Sequence, residues 1–346
     1  MLKNLTDIKT AGISLSNGGI YYRLVALWVL CEAMLGSIIF SFKIPVSGLL
    51  IGSCAVVCIA LIAWYAPLRG AIIRATIIVA IFKMMLTPQA PPAAYVAVFF
   101  QGLMGELLFR NKKYYRVACM VLALLAMIES AFQRIIVLTV LYGNDFWTAI
   151  NAFLNKITGS SQLTDYSFFI IFSYVLLHIV AGVLLGIWTG LLPDKIKLMK
   201  SLQTKYNVDA TELAINTPAR RHNKTGRIIL FAVWIALLAL YVQSFFHIGK
   251  PLLSSQLAIR IVVRSAIIIL TWYFLISPVI KQLLHKWLER KKQQWVRQVQ
   301  EVLNLLPSTK GLVTKSWQLA ADQKGWKRIM LCCKIILANT FYTAEN

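Results

Sequence analysis

The chain has 346 residues, of which 58% are hydrophobic and only 14% charged, and its 36 Lys and Arg against 13 Asp and Glu give a formal net charge of +23. Soluble globular domains carry about a quarter charged residues and roughly half apolar ones, so this composition excludes that class and selects a polytopic membrane protein. The apolar runs reach about 20 residues, long enough for a helix to cross the hydrocarbon layer, and they lack the short alternating segments of an outer-membrane barrel. The expected fold is therefore all-α: a polytopic transmembrane helical bundle with both termini in the cytoplasm and cytoplasmic amphipathic helices at the C-terminus.

Polar residues open the chain, so the first apolar run is not read as a cleaved signal peptide. About eight spans are expected, at 24–42, 46–65, 71–87, 93–109, 117–141, 167–191, 227–247 and 257–279. Their orientation follows from the cations in the connections. Lys3, Lys9 and Arg23 precede the first span, and Arg69 lies between the second and third. "RNKKYYR" joins the fourth to the fifth, and Lys195, Lys197, Lys200, Lys205, Arg220, Arg221 and Lys224 follow the sixth; all fall on one side. The alternate connections, "LTPQAPP" and 142–166, are nearly free of cations, with Lys43 and Lys250 as small exceptions. The positive charge is thus a cytoplasmic flank. Anionic lipid, attracting each near-surface cation by about 1 kcal/mol, is its expected partner, and nucleic acid is not.

Among the six cysteines, Cys54 and Cys58 lie one helical turn apart and Cys332 and Cys333 are adjacent. Neither spacing describes a metal site or a disulfide, and these residues read as small apolar fillers.

A charge at mid-bilayer costs about 2.5–3.5 kcal/mol, so each ionisable residue within a span requires a partner or a cavity. Arg74 and Arg260 lie near span ends and are expected to snorkel; Glu106 lies close to the inner face; His178 is expected to pack between helices. Glu32 is paired by expectation with Arg264. Lys83, Gln101, Glu129, Gln133 and Arg134 share a middle or outer depth. Two readings of them stand side by side: a structural ion pair between Lys83 and Glu129, or a polar pocket open outward. In the second reading the 142–166 connection closes the pocket with Tyr142, Asn144, Asp145 and Trp147. The chain has no phosphate-binding GxxxxGK[ST] loop, HExxH, GxSxG or paired Asp-rich motif, so no catalytic residue or metal ligand is assigned and the chain is not expected to be an enzyme.

The polar connection from Pro193 to Lys224 divides the chain by expectation into a bundle over 1–192, a basic linker over 193–225 and a second unit over 226–346. In "KQLLHKWLERKKQQWVRQVQEVLNLLP", Leu284, Leu288, Trp295, Val299, Val302 and Leu306 share a helical face, which predicts an amphipathic helix ended by Pro307. A second helix is expected from about Leu312, and a third after Gly325 with Trp326, Ile329, Cys333 and Ile336 on its apolar stripe.

The first part, through "APLRGAIIRATIIVAIFKMML", Pro91, Pro92 and "YVAVFFQGLMGELLF", resembles the substrate-binding S component of energy-coupling-factor vitamin transporters. The second, through "IRIVVRSAIIILTWYFLISPVIKQLLHKWLE", the Leu306–Pro307 turn and "SWQLAADQKGWKR", is similar to the transmembrane T component of the same family. In that family, coupling helices carry Ala-Arg-Gly or Ala-Arg-Ser signatures that dock into ATPase subunits; Gln323-Lys324-Gly325 stands at the matching place here. The resemblance implies a small-molecule substrate of vitamin-like kind, and the pocket reading, from shared depth and the covering connection, has it held by Lys83, Gln101, Glu129, Gln133, Arg134 and Trp147. It implies docking of separate ABC-type ATPase subunits through Trp317, Ala320, Ala321, Lys324, Gly325, Trp326 and Arg328. ATP is expected on those subunits, with no cofactor in this chain, in the bacterial cytoplasmic membrane. The competing readings are a membrane scaffold that recruits a cytoplasmic partner through its tail, and an enzyme acting on lipid.

Overall fold

The computed structural model describes residues 15–36, 47–66, 68–87, 90, 92–158, 165–206, 208, 265–266, 268–269 and 277–342. The expected seventh span and almost all of the eighth, Arg260 and Arg264 lie outside the described residues.

Every regular element among the described residues is helical. From the N-terminus, α1 (Leu15–Leu30) continues into a π turn at Cys31–Leu35; α2 (Ser47–Tyr65), α3 (Ala71–Leu86) and α4 (Pro92–Leu108) follow. After a short 3₁₀ turn (Lys112–Tyr114) come α5 (Tyr115–Tyr142), α6 (Asn144–Thr158) and α7 (Tyr166–Gly190). Two short helices, α8 (Leu192–Lys197) and α9 (Lys200–Lys205), precede the C-terminal α10 (Ser277–Gln294), α11 (Val296–Leu319) and α12 (Gly325–Tyr342). Among the described residues three helical segments are long and apolar enough to cross a membrane: Gly48–Tyr65, Lys112–Tyr142 and Tyr166–Gly190, with Ala93–Leu108 a shorter apolar helix. Proline opens α4 at its first position, where the missing N–H has no helical partner anyway.

Two compact units divide the chain. One holds 1–130, 178–215 and 283–346; the other holds 131–177 and 216–282. The units therefore part elsewhere than at residue 193, and the described C-terminal helices from 283 onward belong with the N-terminal ones.

In the first unit α1 is the hub. It packs against α2 and α3 and, from the far end of the chain, against α11 and α12. Leu24 and Trp28 of α1, Ile59 and Ile62 of α2, Ile78 and Phe82 of α3, and Leu122 and Met127 of α5 are fully buried in one core, which Leu288, Val299 and Val302 of the tail also enter. Three of the six residues predicted for the tail's apolar face are thus core, and Trp295 and Leu306 pack on it half-buried.

Pro307 does not end that helix. The α11 helix runs through it, with no second start near Leu312. An internal proline costs about 3 kcal/mol, whereas burying a single Val or Leu side chain returns about 1.5–3 kcal/mol. Apolar residues on both sides of Pro307, among them Val302, Leu306 and Val313, pack on the same core, so burial outweighs the break, and the proline ring itself faces solvent.

The α12 stripe is also rotated from expectation. Cys332, Ile335, Ala338 and Asn339 are buried, while Trp326, Ile329 and Cys333 are exposed. Asn339 explains the difference. Its Nδ2 donates to Tyr206 O and Ile335 O, each at 3.0 Å, and its Oδ1 accepts from Val208 N at 3.2 Å, so a polar residue faces inward to hold the chain beyond α9.

Within the same unit α7 meets α5 along Gly182, Gly186 and Gly190. A Cβ at Gly186 would lie 2.5 Å from Met120 Cα, one at Gly182 3.2 Å from Ala123 O, and one at Gly190 3.4 Å from Arg116 Cα. Small residues four apart let two backbones touch, the usual means of helix association in lipid, where no hydrophobic force drives apolar helices together.

In the second unit, the 142–166 connection is largely the α6 helix, not a loop. Gly143, at φ 75°, makes the turn from α5. Trp147 Nε1 donates to Thr139 Oγ1 at 3.1 Å, and Asn151 Oδ1 accepts from Ser167 N and Oγ at 2.7 and 2.8 Å, so α6 is tied to the helices on either side.

Candidate functional site: a buried ion pair and an exposed hairpin

Glu32 and Lys83 form the buried charge pair of the first unit. Lys83 Nζ lies 2.7 Å from Glu32 Oε2, with the two side chains 7% and 4% exposed. The ammonium also donates to Ala94 O at 3.2 Å and stands 5.9 Å from the Tyr95 ring centre. Of the two readings of Lys83, the ion-pair one names Glu129; the pair forms with Glu32 instead, and Arg264, the residue expected beside Glu32, lies outside the described residues. Glu32 lies in the π turn, where a wider helical repeat changes the direction of its side chain relative to a regular α-helix.

The six residues expected to hold a solute are divided between the units. Lys83, Gln101 and Glu129 belong to the first, Gln133, Arg134 and Trp147 to the second. Gln101 is buried; a Cβ on Gly52 would lie 3.4 Å from its Nε2 and 3.4 Å from Met127 Cε. Gln101 Oε1 and Glu129 Oε2 are buried oxygens that accept no hydrogen bond among the described residues. Arg134 is exposed, and Gln133 and Trp147 are half-buried. His178 is buried, as a packed helix residue should be, and Glu106 accepts from Gly70 N at 2.6 Å.

The other arrangement is the hairpin between α11 and α12. The chain turns through Ala320–Lys324, and Gly325 adopts φ +56°, a left-handed conformation that favours glycine. Arg328 locks the two arms together: its guanidinium lies 4.2 Å from the centre of the Trp317 ring, and Nη2 donates to Trp317 O at 3.1 Å. Ala320, in the turn, and Ser316, near the end of α11, are fully buried. Ala320 is thus a packing residue of the hairpin, not part of a docking surface as expected from sequence. Outside, Trp317, Ala321, Lys324, Gly325 and Trp326 are exposed, Trp326 at 73%, together with Ile329 and Met330.

Sequence reading missed the Glu32–Lys83 pairing, the inward Asn339 and the Gly182, Gly186, Gly190 contact. Only the last had a local signal, the spacing of three glycines in "AGVLLGIWTG". Fold and sites together define a protein whose described residues are all-helical, with three helices among them able by length and composition to cross a membrane. No known protein family, curated protein or solved structure matches the chain.

Proposed function

We propose that this chain is the membrane component of an ATP-driven uptake transporter of energy-coupling-factor type, moving a vitamin-like or other small metabolite across a bacterial cytoplasmic membrane. Its C-terminal hairpin receives the motion of separate ABC-type ATPase subunits. The observation that carries this reading is the hairpin itself. A coupling element has to be rigid and has to present contact residues, and here an Arg328–Trp317 clamp and a buried Ala320 stiffen a tip whose Trp326, Ile329, Met330 and Lys324 face outward. Exposed aromatic anchors beside cations suit an acidic groove. The orphaned acceptors Gln101 Oε1 and Glu129 Oε2 add support, because a bound solute with N–H or O–H donors satisfies buried oxygens.

The test is co-purification of the full chain from its native membrane with ATPase subunits that carry phosphate-binding loops, together with ATP-dependent uptake. Ala321→Trp and Trp326→Ala alter the exposed tip without touching the clamp, and both are expected to abolish co-purification while leaving membrane insertion intact. A wild-type chain that brings down no such ATPase overturns the reading. Gly325→Trp is a poorer probe, since its φ strains any other side chain whatever the partner.

A second reading, a membrane scaffold that recruits a cytoplasmic protein through the same hairpin, draws on a different observation. Lys83 is already paired with Glu32, and large side chains such as Trp28 and Phe82 are fully buried in the core of the same unit. Solute binding to the purified chain separates the two readings.

A further inference from the structure

At one end of the first unit lies a cleft of about 330 Å³, lined among others by Trp64, Lys112, Lys113, Arg116, Gly190 and Asp194. Its position is informative. Trp64 is next to last in the Gly48–Tyr65 segment, Lys112 opens Lys112–Tyr142, and Gly190 closes Tyr166–Gly190, so the three segments able to cross a membrane among the described residues end at this one cleft.

The charge of the cleft is unbalanced. Its one carboxylate, Asp194, is shared by Arg116 Nη2 at 3.2 Å and by Lys197 Nζ at 3.8 Å. Lys112 and Lys113, both exposed, have no carboxylate within ion-pair distance among the described residues. The frame beneath them is fixed. Asn111 Oδ1 accepts from Lys113 N at 3.0 Å, Tyr115 Oη donates to Ala60 O at 3.2 Å, and the Tyr115 ring stands 4.7 Å from Trp64 and 5.4 Å from Phe109. Beside the cleft, Val117 on α5 and Leu184, Ile187 and Trp188 on α7 are exposed apolar side chains, the last three spaced to lie on one helical face.

We infer that this cleft is a binding site for the headgroup of one anionic phospholipid, whose phosphate is held by Lys112 and Lys113 and whose acyl chains run along Val117, Leu184 and Ile187. Three features converge on that ligand: unpaired cations on a rigid turn, aromatic rings at the ends of membrane-length helices, and an apolar track leading from the cleft along those helices. A soluble phosphate uses the first feature alone. A specific site also differs from the diffuse attraction of a basic flank, because it holds one lipid and depends on two named lysines. The inference stands apart from whatever the hairpin docks.

The test uses the full chain in uncharged detergent, titrated with phosphatidylglycerol and with phosphatidylcholine as control, with bound lipid counted by native mass spectrometry. One phosphatidylglycerol is expected to bind in preference to phosphatidylcholine. Lys112→Gln with Lys113→Gln is expected to weaken that binding by roughly 10- to 30-fold, the effect of losing two near-surface cations. Lys112→Arg with Lys113→Arg is expected to retain it, and so is Lys286→Gln with Arg290→Gln, which removes the same charge from exposed positions on α10. Equal weakening by the α10 pair overturns the inference in favour of diffuse attraction. Displacement of the lipid by glycerol phosphate or inorganic phosphate at equal concentration overturns it in favour of a soluble anion. Unchanged binding in the Lys112→Gln, Lys113→Gln chain overturns the site altogether.

Discussion

Glu32 and Lys83 illustrate how one buried pair decides between structure and solute binding. A lone ammonium or carboxylate buried away from water costs several kcal/mol, whereas the two together, 2.7 Å apart and supported by Ala94 O, largely cancel. Lys83→Met and Glu32→Gln are each expected to lower stability by about 3–5 kcal/mol, and the Glu32→Gln, Lys83→Met double variant to recover most of that loss. Thermal unfolding in detergent, followed by tryptophan fluorescence, measures both. A Lys83→Met chain as stable as wild type, with weakened solute binding, assigns Lys83 to a binding site instead. Sequence made both residues conspicuous, since charges in apolar runs are expensive, but of its two readings of Lys83 the ion-pair one named Glu129 and neither named Glu32. Depth along a span is legible from position, whereas direction around the helix depends on the turn type, and the π turn at Cys31–Leu35 has no sequence signal that hydrophobicity reveals. Asn339 was hidden for a related reason: an apolar stripe read by residue type skips a polar residue whose donors and acceptor are all satisfied inside.

The helices themselves were legible as elements. Sustained apolar runs bounded by turn residues placed α2, α3, α4, α5 and α7 within a residue or two of their observed ends. What periodicity did not reveal is how close two helices come. Along the contact of α7 with α5, two effects of Gly→Ala oppose each other: alanine gains about 0.5–1 kcal/mol of helix propensity, and overpacking costs about 1–3 kcal/mol. The predicted Cβ contacts of 2.5 Å at Gly186, 3.2 Å at Gly182 and 3.4 Å at Gly190 therefore fix an order. Gly186→Ala is expected to be clearly destabilising, Gly182→Ala mildly so, and Gly190→Ala neutral or slightly stabilising; a different order in unfolding midpoints contradicts the close approach. Pro307 offers the reverse case. Because it interrupts a helix held by its neighbours and its own ring is exposed, Pro307→Ala is expected to stabilise the chain by about 1–3 kcal/mol with no loss of helix by circular dichroism. A helix that truly ended at Pro307 would instead gain length on that substitution.

For the whole molecule, the informative fact is that the tail is part of the N-terminal bundle. Composition separated the two because residues after 277 are much more charged than those before 193, and charge reports what faces outward, not what the opposite face covers. Both α11 and α12 pack on α1, and Arg23 Nη1 of α1 donates to Thr340 O at 3.5 Å. Uncovering two or three of the core side chains on α1 forfeits about 3–9 kcal/mol, a large part of the roughly 5–15 kcal/mol that holds a folded domain together. A chain ending at residue 294 is accordingly expected to insert into the membrane yet lose protection of α1. Limited trypsin digestion reads this at Arg23, which is half-buried in the full chain and next to the fully buried Leu24. Faster cleavage after Arg23 in the shortened chain is the expected result. Equal protection in both chains means that α1 is held by α2 and α3 alone, and that the C-terminal helices form a separable coupling unit of the kind the transporter resemblance implies.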